Sequence, residues 1–233
     1  MTSGEKRSKG LLTMAATHLG RVEDIPLRSL EALRNADLLI FEEDRPARSF
    51  LKAAGVTRPY LKYSEHAQSA TFDECTRTLK QKGWVCYMSD QGTPGLADPG
   101  RALVALAQQL NAQVQVIPGP SSLTAAISVC PFDCFAFHYL GFLPQEPHAR
   151  VHALKAAGAF TRPLVIMDTP YRLKHLLGSC HQVFGKSRRG FVAVDITGEQ
   201  EDFWLGHFAD LQQKAEGLTD KLNFVLIVDA PGR

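Results

Sequence analysis

Short apolar runs alternate with longer stretches of helical period along this chain. Leu11 to Ala16, Leu38 to Phe41, Trp84 to Met88 and Gln113 to Ile117 read as strands, with a short one at Tyr60 to Tyr63. Pro26 to Ala36 reads as a helix with Leu27, Leu30, Ala32 and Leu33 on its apolar face. Thr71 to Lys82 and Arg101 to Leu110 also read as helices, and another opens at Ser122. Strands and helices of this length in alternation predict a mainly parallel sheet covered on both faces. The segment Cys130-Pro-Phe-Asp-Cys134 breaks that pattern. Beyond it, Phe135 to Leu140, Leu164 to Met167, Phe191 to Ile196, Phe203 to Gly206 and Phe224 to Asp229 read as strands. His148 to Ala157, Tyr171 to Cys180 and Phe208 to Glu216 read as helices. The expected organisation is α/β throughout: a polar tail over 1–10, an N-terminal α/β domain over 11–130 and a C-terminal α/β domain over 131–233.

One connection stands apart. Between the strand ending at Met88 and the helix opening at Arg101 lies Ser-Asp-Gln-Gly-Thr-Pro-Gly-Leu-Ala-Asp-Pro-Gly, residues 89–100. Asp98-Pro99 is a fitting helix start, since Asp caps and Pro suits the first turn. That role leaves Asp90 to Gly95 unexplained. Gly92 and Gly95 let the backbone turn where other residues cannot and let a ligand approach the main chain. In an open α/β sheet the crevice beyond the carboxyl ends of the strands is where ligands bind. A second such loop, Pro118-Gly-Pro-Ser-Ser122, follows the next strand.

Composition narrows the classes without choosing among them. The 233 residues carry a net charge of +2, with 45% hydrophobic and 21% charged residues, ordinary for a globular protein. So small a net charge gives no global argument for nucleic acid. Five cysteines, several inside apolar segments, fit reduced thiols and a cytoplasmic setting better than a disulfide framework. No apolar run approaches the roughly 18 residues of a membrane span, and the polar opening lacks the features of a signal peptide. Cys130 and Cys134 lack a second pair at zinc spacing, so no metal is expected. No dinucleotide fingerprint, Walker loop or nucleophile elbow occurs. Lys186, Arg188 and Arg189 form a small basic cluster that reads first as a solvated loop and second as a contact for phosphates.

Several groups fall in one order and spacing: Glu23-Asp24-Ile25, Glu42-Glu-Asp-Arg45, Glu65-His66, residues 89–95, Asp98-Pro-Gly100 and Pro118-Gly-Pro-Ser121. In these the chain resembles the tetrapyrrole methylase superfamily, from about Leu11 to Val228. Within it, the resemblance is nearest to the branch that methylates a cytidine ribose 2′-hydroxyl of small-subunit ribosomal RNA. It implies two α/β domains of the class III methyltransferase type, S-adenosyl-L-methionine in the cleft between them, and a homodimer. By position, Asp90, Gly92, Thr93 and Pro94 would wrap the methionine part of that cofactor, with Ser121 and Ser122 beside it. Met167 and the segment Leu222, Asn223, Phe224 would flank its adenosine.

An acceptor hydroxyl must lose a proton, for which a carboxylate or histidine is the natural base. Glu42, Glu43, Asp44 and Glu65 are the catalytic candidates, with Asp98 and His66 also in range of that role. Arg21, Arg45, Arg48 and His66 are the candidates for substrate contact. The chain departs from the family pattern in four places. Thr17-His-Leu-Gly-Arg21 stands where Thr-Pro-Ile-Gly-Asn is usual, and Glu42-Glu-Asp-Arg45 where Glu-Asp-Thr-Arg is usual. Pro144-Gln-Glu-Pro-His-Ala-Arg150 has one Arg where the family is rich in cations, and Val194-Asp-Ile-Thr-Gly198 lacks the cations of Arg-Glu-Leu-Thr-Lys. Fewer cations mean weaker phosphate binding. Three readings follow: a methyltransferase acting on ribosomal RNA, one acting on a small molecule such as a tetrapyrrole, and a cofactor-binding protein without transfer activity.

Overall fold

The computed structural model describes residues 7–63, 68–96, 98–219 and 221–232. The candidates Glu65 and His66 lie outside the described residues, as does the first part of the expected tail. The chain forms two compact units, residues 1–121 and 122–233.

The N-terminal unit runs β1 (Leu11–Ala15), α1 (Leu27–Asn35), β2 (Leu38–Phe41), α2 (Asp44–Ala53), β3 (Leu61–Lys62), α3 (Gln68–Lys80), β4 (Trp84–Met88), α4 (Arg101–Gln109) and β5 (Gln113–Ile117). Its strands lie in the order β3-β2-β4-β1-β5, and every neighbouring pair is parallel. Side chains of a strand alternate between faces, and both faces here are buried. Leu39 and Phe41 of β2 with Cys86 and Met88 of β4 pack on Ala32 and Leu33 of α1 and on Phe50 and Leu51 of α2. Ile40, Val85 and Tyr87 pack the opposite way, on Cys75 and Leu79 of α3 and Leu103 and Ala107 of α4. Because all five strands run the same way, the turns after β1, β2, β4 and β5 gather at one edge of the sheet.

The helix α2 was not among the predicted elements. Its apolar residues Ala47, Phe50 and Leu51 follow helical spacing and are buried. The charged run that opens it, with Pro46 in its first turn, conceals that period and is tolerated there.

The C-terminal unit runs α5 (Ser122–Val129), β6 (His138–Gly141), α6 (Pro147–Ala157), β7 (Leu164–Asp168), α7 (Leu173–Phe184), β8 (Arg189–Val194), β9 (Asp202–His207), α8 (Phe208–Glu216) and β10 (Phe224–Val228). A boundary was expected near residue 130. The units divide after Ser121, because α5 packs its Ala126 with Val225 and Ile227 of β10. The parallel sheet expected of the residues before Cys130 is the one the N-terminal unit forms, and the sheet of this unit is mixed. The order is β6-β7-β10-β8-β9, and only β6 and β7 are parallel. β10 enters between β7 and β8 antiparallel to both. Three helices cover one face of this sheet: Leu154 of α6, Leu176, Leu177 and Cys180 of α7, and Phe208 and Leu211 of α8.

The basic cluster near Arg188 is not a solvated loop. Arg188 is buried, and its guanidinium donates to the carbonyls of Gly158 and Phe160 at 3.0 and 2.7 Å. Arg189 pairs with Asp229 at 3.6 Å. Among the described residues no helix is long and apolar enough to cross a membrane, and no group of His, Cys, Asp and Glu is placed to hold a metal ion.

Candidate active site

Three of the gathered turns are laced into one floor. The Thr17 N–H donates to the Gly92 carbonyl at 2.9 Å, and the Gly92 N–H returns the bond to His18 at 3.0 Å. The Thr93 N–H donates to the Pro120 carbonyl at 2.8 Å. The Thr93 hydroxyl accepts from the Gly119 N–H at 3.1 Å and lies within donating distance of the Gly119 and Pro120 carbonyls. Ser89 Oγ closes the bend internally by donating to the Gly92 carbonyl at 3.1 Å. The turns after β1, β4 and β5 are thereby held by backbone bonds that no side-chain rotamer change can loosen. His18 also packs its ring on Phe50 of α2, 5.7 Å between centroids.

Two glycines make this floor feasible. Gly92 has φ +70°, and a Cβ on it would stand 2.7 Å from the Pro120 carbonyl oxygen. It is therefore required both by conformation and by the approach of the neighbouring turn. Gly95 has φ +115° and open space where its side chain would be. The bare main chain around Pro94 is thus accessible to a ligand.

Beside this floor three carboxylates meet. Glu42 follows β2, Asp90 follows β4, and the strands are in register with Phe41 opposite Met88. The Asp90 side chain accepts from the Glu43 N–H at 3.1 Å. Asp98 accepts from the Tyr87 hydroxyl at 2.8 Å and from the Gly100 N–H at 2.7 Å, while its Oδ2 is buried with no protein partner. Burial, then Asp90, then Asp98, push the Glu42 carboxyl from its ordinary 4.5 up to about 7. Burial and the charges of Glu43 and Asp98 also raise Asp90, against the Glu43 N–H bond and Lys62. Burial and Asp98 push the Tyr87 hydroxyl up as well, so it stays a hydrogen-bond donor. A carboxyl that titrates near neutral pH can accept a proton at working pH and release it again.

A sequence model for tetrapyrrole (corrin/porphyrin) methylases matches residues 12–212. The chain belongs to this family. Among tetrapyrrole methylase relatives, the protein named ribosomal RNA small subunit methyltransferase I of Thermotoga maritima is 31% identical over 201 residues, covering 86% of this chain and 90% of that one. The protein of that name from Leptospira borgpetersenii is 30% identical over 227 residues, covering 96% and 89%. Two solved structures share the fold: diphthine synthase (TM-score 0.74, 17% identity, 95% and 90% covered) and a uroporphyrin-III C-methyltransferase from Thermus thermophilus (TM-score 0.65, 18% identity, 95% and 94% covered). By family the chain is a methyltransferase.

Within this tetrapyrrole methylase, the structure sorts the expected residues. Asp90, Gly92, Thr93, Pro94 and Ser121 fall on the floor and its rim, and Ser122 is the first residue of α5. Met167 and the segment Leu222, Asn223, Phe224 meet in the other unit, at neighbouring ends of β7 and β10, where Val225 pairs with Met167. Of the described acid candidates, Glu43 is engaged by Lys62 at 2.9 Å. Asp44 accepts from the Tyr60 hydroxyl at 3.1 Å and pairs with Arg48 at 4.0 Å. Glu42 is the acid left facing the other carboxylates. Arg45 and Arg48 are exposed on α2, and Arg21 precedes a short 3-10 turn, Val22–Asp24. Sequence reasoning missed Thr17, Tyr60, Lys62 and Tyr87. Tyr87 had one available signal: a polar-tipped residue inside an otherwise apolar strand asks for a buried partner.

Proposed function

We propose that this protein is an S-adenosyl-L-methionine-dependent methyltransferase that methylates a ribose 2′-hydroxyl of small-subunit ribosomal RNA, with Glu42 as the general base. The observation that carries the reading is the Glu42 carboxyl, lifted to about 7 beside a glycine-opened floor of main chain. The names of the relatives from Thermotoga and Leptospira support the substrate.

The residues present fit the cofactor. A zwitterionic amino-acid group needs main-chain donors and acceptors, and residues 89–95 with 118–121 present main chain that no Cβ covers at Gly92, Gly95 and Gly119. When bound, S-adenosyl-L-methionine supplies an electrophilic methyl group. Asp90, Gly92, Thr93 and Pro94 would hold its methionine part, with Ser121 and Ser122 beside it. Met167, Leu222, Asn223 and Phe224 are proposed for its adenosine. Glu42 would take the proton from the acceptor hydroxyl, and Asp90 and Asp98 keep its affinity for that proton high. Holding acceptor and donor in line contributes up to about 7–11 kcal/mol to such a step. The same reading makes the protein a cytoplasmic homodimer, with Arg21, Arg45, Arg48 and His66 kept as candidates for substrate contact; sedimentation of the purified chain tests the assembly.

The substrate is tested by mapping ribose methylation of small-subunit ribosomal RNA in a strain lacking the gene. Loss of methylation at one ribose, restored by the wild-type gene and not by Glu42→Gln, is the expected result. Intact methylation in that strain would reject the RNA substrate.

A further inference from the structure

The C-terminal unit holds a cavity of about 420 Å³, lined in part by Arg150, Thr169, Tyr171, Arg172 and His175. It opens on the helical side of the sheet. Asp168, at its base, shares a face with Leu164 and Ile166, which pack under α6 and α7. Met167, proposed for the donor, packs with Val165 on the other face.

The cavity carries excess positive charge. Arg150 is 5% exposed, and its guanidinium donates to Ser179 Oγ at 2.9 Å and to the Gln145 carbonyl at 3.0 Å, neither of them an anion. Arg172 pairs with Asp168 at 3.0 Å and donates to the Leu143 and Pro144 carbonyls. Two guanidiniums therefore share one carboxylate. Glu146, the other acid nearby, is committed to capping α6, accepting from the His148 and Ala149 N–H groups. A buried arginine held by neutral acceptors is poised for an anion. At the rim, the Tyr171 ring is 67% exposed, and Lys221 Nζ lies 4.1 Å from its centroid. An aromatic face beside a cationic pocket suits a base next to its phosphate.

We infer that this cavity binds the phosphate group of a nucleotide, through Arg150, Arg172 and His175, with Tyr171 against the base. The phosphate belongs either to an RNA chain or to a free nucleotide. Its RNA source rests on the function proposed above; the phosphate site does not.

The test uses the full chain saturated with S-adenosyl-L-methionine, wild type and the exposed-residue variants His175→Glu and Tyr171→Ala. Inorganic phosphate, uridine 5′-monophosphate and a short labelled single-stranded RNA are the probes, with circular dichroism as the folding control. His175→Glu replaces a donor by a like charge and should weaken phosphate and the nucleotide by about tenfold or more. Tyr171→Ala should weaken the nucleotide and leave inorganic phosphate unchanged. If His175→Glu weakens the RNA too, the phosphate comes from RNA; if only the mononucleotide weakens, the ligand is free. Absence of phosphate and nucleotide binding to wild type, or equal affinities in all three proteins, would overturn the site. If the chain cannot be saturated with S-adenosyl-L-methionine, the same titrations are run without it, and phosphate binding that still depends on His175 would sink the proposed function alone.

Discussion

Asp90 acts on Glu42 in two opposed ways. Its backbone N–H hydrogen-bonds the Glu42 carboxylate and favours the charged form, while its own carboxylate repels that charge. Burial and Asp98 add to the repulsion, and the balance leaves Glu42 near 7. One turn after β4 therefore supplies both part of the floor proposed for the donor and the setting of the proposed base.

Replacing Glu42 by Gln should lower the methyl-transfer rate by about 100-fold or more, since a positioned base contributes 10²–10⁴-fold. Binding of S-adenosyl-L-methionine should be unchanged in this variant by calorimetry. In the wild type the rate should rise as pH climbs through about 7 and then level off. A pH-independent rate from 5.5 to 8.5, taken as a working range of about three units around that value, would remove Glu42 from the base role.

The same shift fixes a stability prediction. The folded-state value of Glu42 lies above its ordinary 4.5, so the folded protein holds this proton more tightly than the unfolded chain. That contribution is complete below about 4.5 and is lost as pH rises through about 7. Glu42→Gln, which cannot ionise, should gain on the wild type in melting temperature between pH 5 and pH 8, by roughly 2 °C or more. Thermal melts of both proteins at the two pH values measure it.

Much of this arrangement was legible in the chain. The strands Leu38–Phe41 and Trp84–Met88 were each bounded by the periodicity itself, because a strand buried on both faces is a continuous apolar run; the edge strand Gln113–Ile117 showed instead as an alternation of Gln and Val. The glycine-rich turn after β4 was legible because Gly92 and Gly95 have no reason to stand in a simple turn. The antiparallel β10 was not, since which neighbour a strand pairs with is set by the path of the chain rather than by its own residues. Nor was the choice among Glu42, Glu43 and Asp44. It depends on Lys62 and Tyr60 capturing two of them from about twenty residues away in sequence.

The two glycines of the floor should respond differently to Ala. Gly92→Ala meets both a disfavoured φ and the Pro120 oxygen, and should cost about 1–3 kcal/mol of stability along with donor binding. Gly95→Ala meets only the conformational term, about 1 kcal/mol. Denaturant midpoints of the two variants rank them; equal losses would mean that the contact with Pro120 carries no weight.

Thr93→Val keeps the shape of the side chain and removes the hydroxyl that joins the turns after β4 and β5. The Gly119 N–H then lacks its acceptor, at a cost of about 1 kcal/mol. Amide exchange at Gly119 and Thr93 should quicken in this variant, while exchange in β1 and β4 should stay as in the wild type.

Titration of S-adenosyl-L-methionine into the wild-type protein and into Gly92→Ala, followed by calorimetry, tests the central claim most directly. The account predicts saturable one-site binding to the wild type and at least a tenfold loss in the folded variant, about 1.4 kcal/mol. Equal affinity in the two proteins, or no heat from the wild type, would contradict it.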